Sequence, residues 1–510
     1  MDMSWTIEGK ASAGSVKRET WLALALVLAT ALATRAIWFG DPVAEFDDQL
    51  YSFIGWRMTH GELPFADWWD RKPFGLFALF AFAHMLGGPD PIAYQLLALV
   101  FVMAGAMLTF DLARRLSGAW AGAIAAALSV MLLAAYGSQT GQSEAFWVPM
   151  MTGMIWLLAD PGHPHARRRA LLAMLLGGLA LQVKYTVLPQ CAALGCWALR
   201  QEYHRNPALP ALVLRAAVFA ALGLASTVAV GLLYLAAGEF EAFWFANFVS
   251  FFDRIPADIG RLPAHNAIAT VPLALLGAGG CYAAARFNPP THRHLYGLAI
   301  LWFAATAMTV FMPATVYPYY FAAFAMPATL VAAPLFDRKG PGRIAPGLVF
   351  LLGMLWLIHL PEARARSVGE RAALADLTAT IAPHVGPQDC LWLHDGPTVL
   401  YRLTDSCVPT RFVYPDHLNN ALERDALGTD QAQEVARILG TRPAAIVTAS
   451  RALTPQSPDV AAIIQQALSA DYRRSKQVTM HERELTVWLR KGASTGAPAR
   501  DTTTTAPPPR

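Results

Sequence analysis

Residues 40–75 read GDPVAEFDDQLYSFIGWRMTHGELPFADWWDRKPFG and lie between two long, mostly apolar segments. The stretch is irregular and rich in acidic and aromatic residues. Long irregular loops at a membrane face are retained mostly where they bind something. The pattern predicts a membrane protein whose function is concentrated in this first loop.

The composition of the whole chain supports a membrane protein. Of its 510 residues, 55% are hydrophobic and only 15% are charged, whereas soluble domains carry about 25% charged residues. The net charge of +4 comes from 40 basic and 36 acidic side chains. No dense basic field is available for nucleic acid, so a nucleic-acid partner is not expected.

Eleven apolar stretches meet or approach the length of about 20 residues that a spanning helix needs. We therefore predict a polytopic α-helical membrane protein with about eleven transmembrane helices. The predicted spans are 20–38, 93–112, 119–136, 145–159, 170–185, 188–199, 208–235, 268–285, 295–311, 319–336 and 344–360. Residues 74–86 are too short to span and are interpreted as an interfacial or re-entrant helix.

The distribution of charge in the loops predicts the orientation. Basic residues such as Arg114, Arg115 and Arg167 fall in every second loop, and the cytoplasmic side retains Lys and Arg. The N-terminus is then cytoplasmic, and the alternate loops, which hold most of the acidic residues, are outside.

The predicted domains follow from these spans. They are a cytoplasmic N-terminus (1–19), a transmembrane domain (20–361) with a first outer loop (39–91), an outer α/β domain with a mixed sheet (362–490) and a disordered Thr/Pro/Ala tail (491–510). Cys390 and Cys407 both fall in the outer domain, where oxidation is permitted. Either a disulfide or two buried thiols fits the sequence.

Two carboxylates in the first outer loop could carry chemistry. Asp47 and Asp48 are expected at the positive, N-terminal end of an amphipathic helix, where a carboxylate can act as a general base. The alternative is an ordinary helix cap with a first-turn acid. The apolar face of this helix is expected on the bilayer; its residues are Phe46, Leu50, Phe53, Ile54 and Trp56.

Three cations could contact a lipid phosphate. Arg71 and Lys72 precede Pro73 at the depth of the headgroups, where they could bind phosphate or simply anchor the chain. Lys184 lies in apolar sequence and needs an anionic partner, either a lipid phosphate or Glu144. A purely structural Glu144–Lys184 pair remains an alternative.

The loop GELPFADWWDRKPFG (61–75), preceded by Asp47 and Asp48, resembles the first periplasmic loop of bacterial GT-C glycosyltransferases. These are glycosyltransferase family 39-like membrane proteins, related to protein O-mannosyltransferases and lipid A aminoarabinose transferases. The resemblance extends through SEAFW (143–147), GGLALQVKYTVLP (177–189) and YPYYFAAFAMP (317–327), and covers nearly all of residues 20–360. CLWLHDGPTVLY (390–401) is similar to the soluble tail of many such proteins.

The resemblance implies a GT-C fold in the bacterial inner membrane with a periplasmic C-terminal domain. It also implies transfer of a sugar, with inversion, from a polyprenyl-phosphate donor to a saccharide, lipid or protein acceptor. By the same resemblance, Asp47 becomes the catalytic base and Asp48 its neighbour. Lys72, Lys184 and Arg71 become contacts to the donor phosphate, and Glu144 becomes a second acid in the cavity.

The sequence departs from the family pattern at two positions linked to metal binding. Arg71 stands where aminoarabinose transferases have an acid, and Tyr319-Tyr320-Phe321 replaces a His-Tyr-Phe element. Tyr319 and Tyr320 remain candidates for the site. We expect no obligatory metal; dependence on a divalent ion is the alternative.

Two other functions use the same features. A lipid-linked saccharide transporter would use the cavity without breaking a bond, but should show related halves and polar groups near the bilayer midplane. A ligase or polymerase acting on pyrophosphate-linked chains would also require a lipid phosphate. The sequence shows no clear repeat, and its acids lie in outer loops, which favours an enzyme over a transporter.

Overall fold

The computed structural model describes residues 13–256, 264–313, 316–338 and 345–492. The chain forms two compact units, Met1–Ser367 and Val368–Arg510. The predicted segment 1–19 lies mostly outside the described residues, as does the tail 491–510 apart from its first two residues.

Helices make up the first unit. They are α1 (Ala13–Arg35), α2 (Phe46–Met58), α3 (Phe74–Gly87), α4 (Pro91–Ala135), α5 (Glu144–Leu158), α6 (Ala166–Leu181), α7 (Leu188–Arg205), α8 (Leu209–Ala237), α9 (Phe240–Trp244), α10 (Ser250–Asp253), α11 (Ala264–Arg286), α12 (Arg293–Phe311), α13 (Ala325–Val331) and α14 (Ala345–Ile381). The last of these continues into the second unit.

Helix α4 contains two of the predicted spans. Ser117 and Gly118 have non-helical dihedral angles and divide it into two limbs. The limbs approach closely at Gly122, where a β-carbon would lie 2.8 Å from the carbonyl oxygen of Phe110. The positive φ of Gly118 (86°) is one that other residues adopt with strain, so this glycine suits the break between the limbs.

Within the described residues, five helices are long and apolar enough to cross a membrane. They correspond to α1, α4, α8, α11 and α12, and α4 alone covers two predicted spans. Several apolar helices therefore fit a membrane protein. The total of eleven spans stays a prediction.

The predicted span 319–336 is wrong as a single helix. The chain forms a 3₁₀ helix (Pro318–Phe324), then α13, then a second 3₁₀ helix (Ala333–Phe336). Pro318 is the first residue of one 3₁₀ helix and Pro334 is the second residue of the other, and proline cannot supply the N–H that a continuous α-helix requires. Every residue from Phe321 to Pro334 is buried, so this segment packs inside the protein.

The pattern of residues 366–382 predicts an amphipathic helix that is separate from the predicted span 344–360. The structure instead has one helix, α14, which covers residues 345–381 and passes through Pro361 without a break. An interior proline removes only one hydrogen bond, and here it does not end the helix. The predicted domain boundary at 361/362 thus falls within α14, as does the boundary between the compact units.

The middle of helix α2 is buried in protein, contrary to the expectation that its apolar face lies on the bilayer, whereas Phe46 and Trp56 at its ends are half-buried. Leu50, Phe53 and Ile54 are at most 3% exposed. At Gly55, a β-carbon would lie 2.7 Å from Phe80 Cβ and 2.8 Å from the Ala81 nitrogen. This contact holds α2 tightly against α3, and the helix expected at residues 74–86 is present as α3.

The second unit contains a small mixed sheet. Its strands are β1 (Leu391–Leu393), β2 (Ala445–Ala449), β3 (Tyr472–Met480) and β4 (Arg483–Arg490), in the order β1-β2-β4-β3. Strands β1 and β2 are parallel, while β3 and β4 form an antiparallel hairpin. Helices α15 (Leu400–Leu403), α16 (Pro415–Asn419), α17 (Gln431–Gly440) and α18 (Pro458–Asp471) connect the strands.

A disulfide joins Cys390 and Cys407, one of the two states that the sequence left open. The bond closes a loop with a sequence separation of 17 residues. Cys191, Cys196 and Cys281 are free.

We expect Cys407→Ser to destabilise the second unit by about 3 kcal/mol, because the bond restricts the unfolded chain over this loop length. Pulse proteolysis in urea measures the loss, with Cys196→Ser, at an exposed free cysteine, as the control. If a reductant leaves the resistance of the wild-type unit unchanged, the bond does not form in the native protein.

Candidate active site

The two aspartates of the first loop lie in the first turn of α2 and have different surroundings. Asp47 Oδ2 accepts hydrogen bonds from the Tyr51 hydroxyl (3.0 Å) and Gln142 Nε2 (3.3 Å). Asp48 is buried, and its Oδ2 accepts one from the backbone N–H of Gly141 (2.7 Å). Asp47 therefore lies in a partly open centre, whereas Asp48 is buried and binds the backbone of the neighbouring loop.

A single loop, residues 137–143 between α4 and α5, contacts all the acids at the start of α2. Besides the contacts of Gly141 and Gln142, Gln139 Nε2 donates to Glu45 Oε1 (2.9 Å). At Gly141 a β-carbon would lie 2.8 Å from the Tyr94 ring. The absence of a side chain there lets the backbone N–H reach Asp48.

Arg35 also binds this loop, through backbone carbonyl oxygens. It is 1% exposed and lies at the end of α1. Its guanidinium donates to the carbonyl oxygens of Ser138 and Thr140, the latter at 3.3 Å. A buried arginine and a buried aspartate thus bind the same short loop.

Lys72 is the cation beside Asp47. Its Nζ lies 4.0 Å from Asp47 Oδ2 and 5.5 Å from the centre of the Tyr51 ring. Burial acts to lower the pKa of Lys72, but the nearby carboxylates, Asp47 above all, outweigh it and raise the pKa. The lysine is therefore a protonated ammonium at the site.

The position of Lys72 depends on the start of α3. The backbone N–H of Leu76 donates to the carbonyl oxygen of Gln182 (3.0 Å). At Gly75, a β-carbon would lie 2.6 Å from Gln182 Cβ. This close approach places the Lys72 segment beside the end of α6, next to Lys184.

Lys184 forms a buried ion pair with Glu144, one of the two partners that the sequence offered. Glu144 begins α5 and also accepts a hydrogen bond from the Ser143 hydroxyl (2.9 Å). The ammonium of Lys184 lies 4.0 Å from the centre of the Tyr320 ring. The positive charge of Lys184 is thus balanced by Glu144, and its ammonium also contacts the Tyr320 ring.

Tyr319 and Tyr320 lie at the same centre. The Tyr319 ring centre is 5.8 Å from Lys184 Nζ, and Tyr319 interacts electrostatically with Asp47 and Glu144. Tyr320 interacts with Lys72 and Arg254. The structure thus brings together Asp47, Lys72, Glu144, Lys184, Tyr319 and Tyr320.

Arg71 lies in the same loop. Its backbone N–H donates to Asp70 Oδ1 (2.6 Å), and its side chain is half-buried. A direct contribution of this guanidinium to phosphate binding stays a prediction.

Sequence reasoning missed Tyr51, Gln142 and Arg254 as members of this centre. Tyr51 is four residues after Asp47, a spacing that places side chains together on a helix, so this signal was available. Gln142 meets Asp47 across 95 positions of sequence, and no local pattern encodes that contact. Arg254 donates to the Tyr317 hydroxyl (3.3 Å).

Burial raises the pKa values of three acids near Asp47. Loss of hydration raises the pKa of Asp48 to about 7, although the hydrogen bonds to its carboxylate and the charge of Arg35 oppose the shift. The pKa of Asp70 rises to about 6 for the same reason. The pKa of Glu45 is also raised, first by burial and then by repulsion from Asp48 and Asp47. The raised pKa values extend the pH range in which these acids are protonated, and over that range less negative charge collects around Asp47.

Among the residues that the structure describes, no group of three or more His, Cys, Asp or Glu side chains is arranged to hold a metal ion. Independence from metal stays a prediction.

Residues 71–230 match the family model described as dolichyl-phosphate-mannose-protein mannosyltransferase. The match covers under a third of the chain and includes Lys72, Glu144 and Lys184, but not Asp47. Among curated proteins, none matches this chain by sequence.

The fold is similar to that of ArnT from Cupriavidus metallidurans. The crystal structure of ArnT bound to undecaprenyl phosphate has a TM-score of 0.58 at 15% identity and covers 94% of this chain and 98% of its own. Its apo state has a TM-score of 0.57. The oligosaccharyltransferase AglB from Archaeoglobus fulgidus, in complex with an inhibitory peptide and a dolichol-phosphate, has a TM-score of 0.49 at 12% identity and covers 84% of this chain and 69% of its own.

The near full-length match to ArnT and the partial family match confirm the resemblance stated from the sequence. The chain has the fold of the GT-C superfamily of membrane glycosyltransferases.

The raised pKa of Asp48 predicts a pH-dependent stability. Between its unfolded value near 3.8 and about 7, the folded state keeps a proton that the unfolded state has lost. Stability should therefore fall as the pH rises through this range. We expect the melting temperature of the purified protein to be lower at pH 8 than at pH 5.

Asp48→Asn should reduce this pH dependence, leaving the part that arises from Asp70 and Glu45. Asp459→Asn, at an exposed position in the second unit, is the control and should keep the wild-type dependence. Equal dependence in Asp48→Asn and wild type would contradict the assignment.

Proposed function

We propose that this protein transfers a sugar from a polyprenyl-phosphate-linked donor to an acceptor at the periplasmic face of the bacterial inner membrane. The observation that carries the proposal is the pairing of Asp47, a carboxylate held in a partly open centre, with Lys72, whose ammonium is 4.0 Å away. A base for the acceptor and a cation for the departing phosphate are thus adjacent.

The similar proteins support the choice of donor. ArnT, which shares the fold over nearly its whole length, was crystallised with undecaprenyl phosphate. The family matched by residues 71–230 is described by its use of dolichyl-phosphate-mannose. Both are lipid monophosphates. A single cation next to a base can stabilise the charge of a leaving group of this kind.

The proposed reaction is a single displacement. Asp47 accepts the proton of an acceptor hydroxyl or amine as the acceptor atom attacks the anomeric carbon. The bond between that carbon and the phosphate oxygen breaks, and its electron pair leaves with the polyprenyl phosphate, whose charge Lys72 stabilises. Attack from the face opposite the phosphate inverts the anomeric configuration.

Lys184 and Glu144 take a supporting part in this proposal. Lys184 is already paired with Glu144, so it adds less net positive charge for the phosphate than Lys72 does. Arg71, in the same loop as Lys72, is a further candidate cation. The acceptor can be a lipid, a polysaccharide or a protein.

Mass spectrometry of membrane lipids from a deletion strain tests the donor and the base together. We expect a polyprenyl-phosphate monosaccharide to accumulate in the deletion strain and to disappear on complementation with wild type. Asp47→Asn, which keeps the shape of the side chain but cannot take the proton, should leave the lipid accumulated. The mass of that lipid identifies the class of sugar.

Asp67→Asn, in the same loop, is the matched control and should complement. Absence of any accumulated lipid contradicts the donor assignment. Full complementation by Asp47→Asn at normal expression shows that Asp47 only caps its helix.

A second experiment distinguishes transfer from transport by testing whether the bond between the sugar and the phosphate is broken. The purified enzyme in nanodiscs, supplied with the accumulated lipid and with membranes of the deletion strain, should release free polyprenyl phosphate. Movement of the intact lipid across proteoliposomes without release would favour the transporter.

A further inference from the structure

Arginines from three helices gather around one buried acid, Glu202 of α7. Its carboxylate pairs with Arg205 (2.5 Å), with Arg167 at the start of α6 (3.3 Å) and with Arg215 of α8 (3.8 Å). Glu202 is 6% exposed, whereas the side chain of Arg167 is 57% exposed. One covered carboxylate thus holds three guanidinium groups together and balances the charge of only one.

A second group of arginines lies next to the first. Arg169, in the first turn of α6, donates to the Trp156 carbonyl oxygen (2.6 Å), and its guanidinium lies 4.7 Å from the centre of the Trp156 ring. The Trp156 indole donates to Asp111 (3.0 Å), which pairs with Arg114 and Arg115. The start of α6 therefore joins two groups in which arginines outnumber the acid.

The two groups and their neighbours carry an excess of positive charge. Arg168 is exposed between the two groups, and Asp160 interacts electrostatically with Arg169. We call these residues the arginine cluster: Arg114, Arg115, Arg167, Arg168, Arg169, Arg205 and Arg215, with the acids Asp111, Asp160 and Glu202. Among these ten residues, seven guanidinium groups accompany three carboxylates, which leaves four positive charges for an external anion.

We propose that the arginine cluster binds the headgroup of an anionic phospholipid. Basic groups collected between membrane helices suit lipid phosphates, and the planar guanidinium group binds phosphate oxygens in pairs. The charge distribution of the loops predicts that this end of the helices faces the cytoplasmic leaflet, whose surface is negative. The proposal does not depend on the proposed sugar transfer.

The arginine cluster is separate from the candidate active site. Helix α5 begins at Glu144, in the active site, and reaches Trp156 after twelve residues, which is about 18 Å along a helix. Helix α6 runs in the other direction, from the cluster at its start towards Lys184 beyond its end. A single phosphate cannot contact both places, so the lipid of the arginine cluster is not the proposed sugar donor.

The surroundings of the cluster favour a lipid over a free phosphate ion. In the turns before Arg215, helix α8 carries Leu209, Val213 and Leu214, which are 61–67% exposed. Acyl chains would cover these apolar side chains while the phosphate meets the guanidinium groups, and burial of apolar surface adds to the affinity. A free phosphate ion has the charge but no apolar part.

Cardiolipin, an anionic phospholipid with two phosphates, is the probe for this site. The full-length protein in a neutral detergent is titrated with cardiolipin, and bound lipid is measured by native mass spectrometry, with phosphatidylcholine as the reference lipid. We expect cardiolipin to bind in preference to phosphatidylcholine and to bind more weakly as salt is added. Arg167→Gln should weaken the binding of cardiolipin about fivefold, the scale for one arginine near a lipid surface.

Arg215→Gln is the second variant if Arg167→Gln does not fold, and it should have a similar effect. Arg473→Gln, at an exposed position of β3 in the second unit, removes the same charge and should bind cardiolipin as wild type does.

Equal affinity for cardiolipin in wild type and in both cluster variants would overturn the proposal, as would equal binding of the two lipids by wild type. Displacement of cardiolipin by inorganic phosphate at the same concentration would show that the cluster binds a free anion, and the lipid assignment would then be wrong. These outcomes leave the proposed function in place, because its test is the accumulation of a lipid-linked sugar.

Discussion

The contact between the start of α2 and the loop 137–143 is the constraint on which the centre depends. Carboxylates that are removed from water need hydrogen bonds or opposite charges. Asp47 and Asp48 each receive a donor from this loop, and Glu45 does too. The loop can supply these donors only because Arg35 binds its carbonyl oxygens and Gly141 has no side chain.

Lys72 and Lys184 differ in how closely a carboxylate balances their charge. Lys184 is matched by Glu144, whose carboxylate is fully buried with it, so this pair adds little net charge. Lys72 is more exposed and only loosely associated with Asp47. Lys72 is therefore less closely paired than Lys184, while the Glu144–Lys184 pair joins the start of α5 to the end of α6.

The sequence was sufficient to predict most of the residues that carry charge at the centre, although not Arg254. Unusual positions, such as a lysine within apolar sequence or adjacent aspartates in a long loop, stand out because burying charge is costly. The Glu144–Lys184 pair was predicted as one alternative for this reason, and the structure contains it. The roles of Asp47, Lys72 and Lys184 in a reaction stay predictions.

The features that the sequence could not supply are those set by tertiary packing. An apolar helix face looks the same whether it meets lipid or protein, which is why α2 was expected on the bilayer although Leu50 and Ile54 are buried. The breaks in the apolar segment 319–336 were missed for a similar reason, because hydropathy takes no account of the backbone N–H that Pro334 lacks. Gln142 reaches Asp47 from a distant segment, and a single sequence contains no signal for that pairing.

The geometry around Gly75 shows how packing brings the charged segments together. The first turn of α3 contacts Gln182 so closely that a β-carbon at Gly75 would lie 2.8 Å from the Gln182 carbonyl oxygen. Gln182 is two residues from Lys184, and Gly75 is three residues from Lys72. A backbone contact between two neutral residues therefore fixes the approach of the two cationic segments. Since like charges repel, this proximity is unfavourable by itself, and Asp47 and Glu144, which lie beside the lysines, offset the repulsion. The acids therefore compensate the charge that the packing brings together, besides their part in the proposed chemistry.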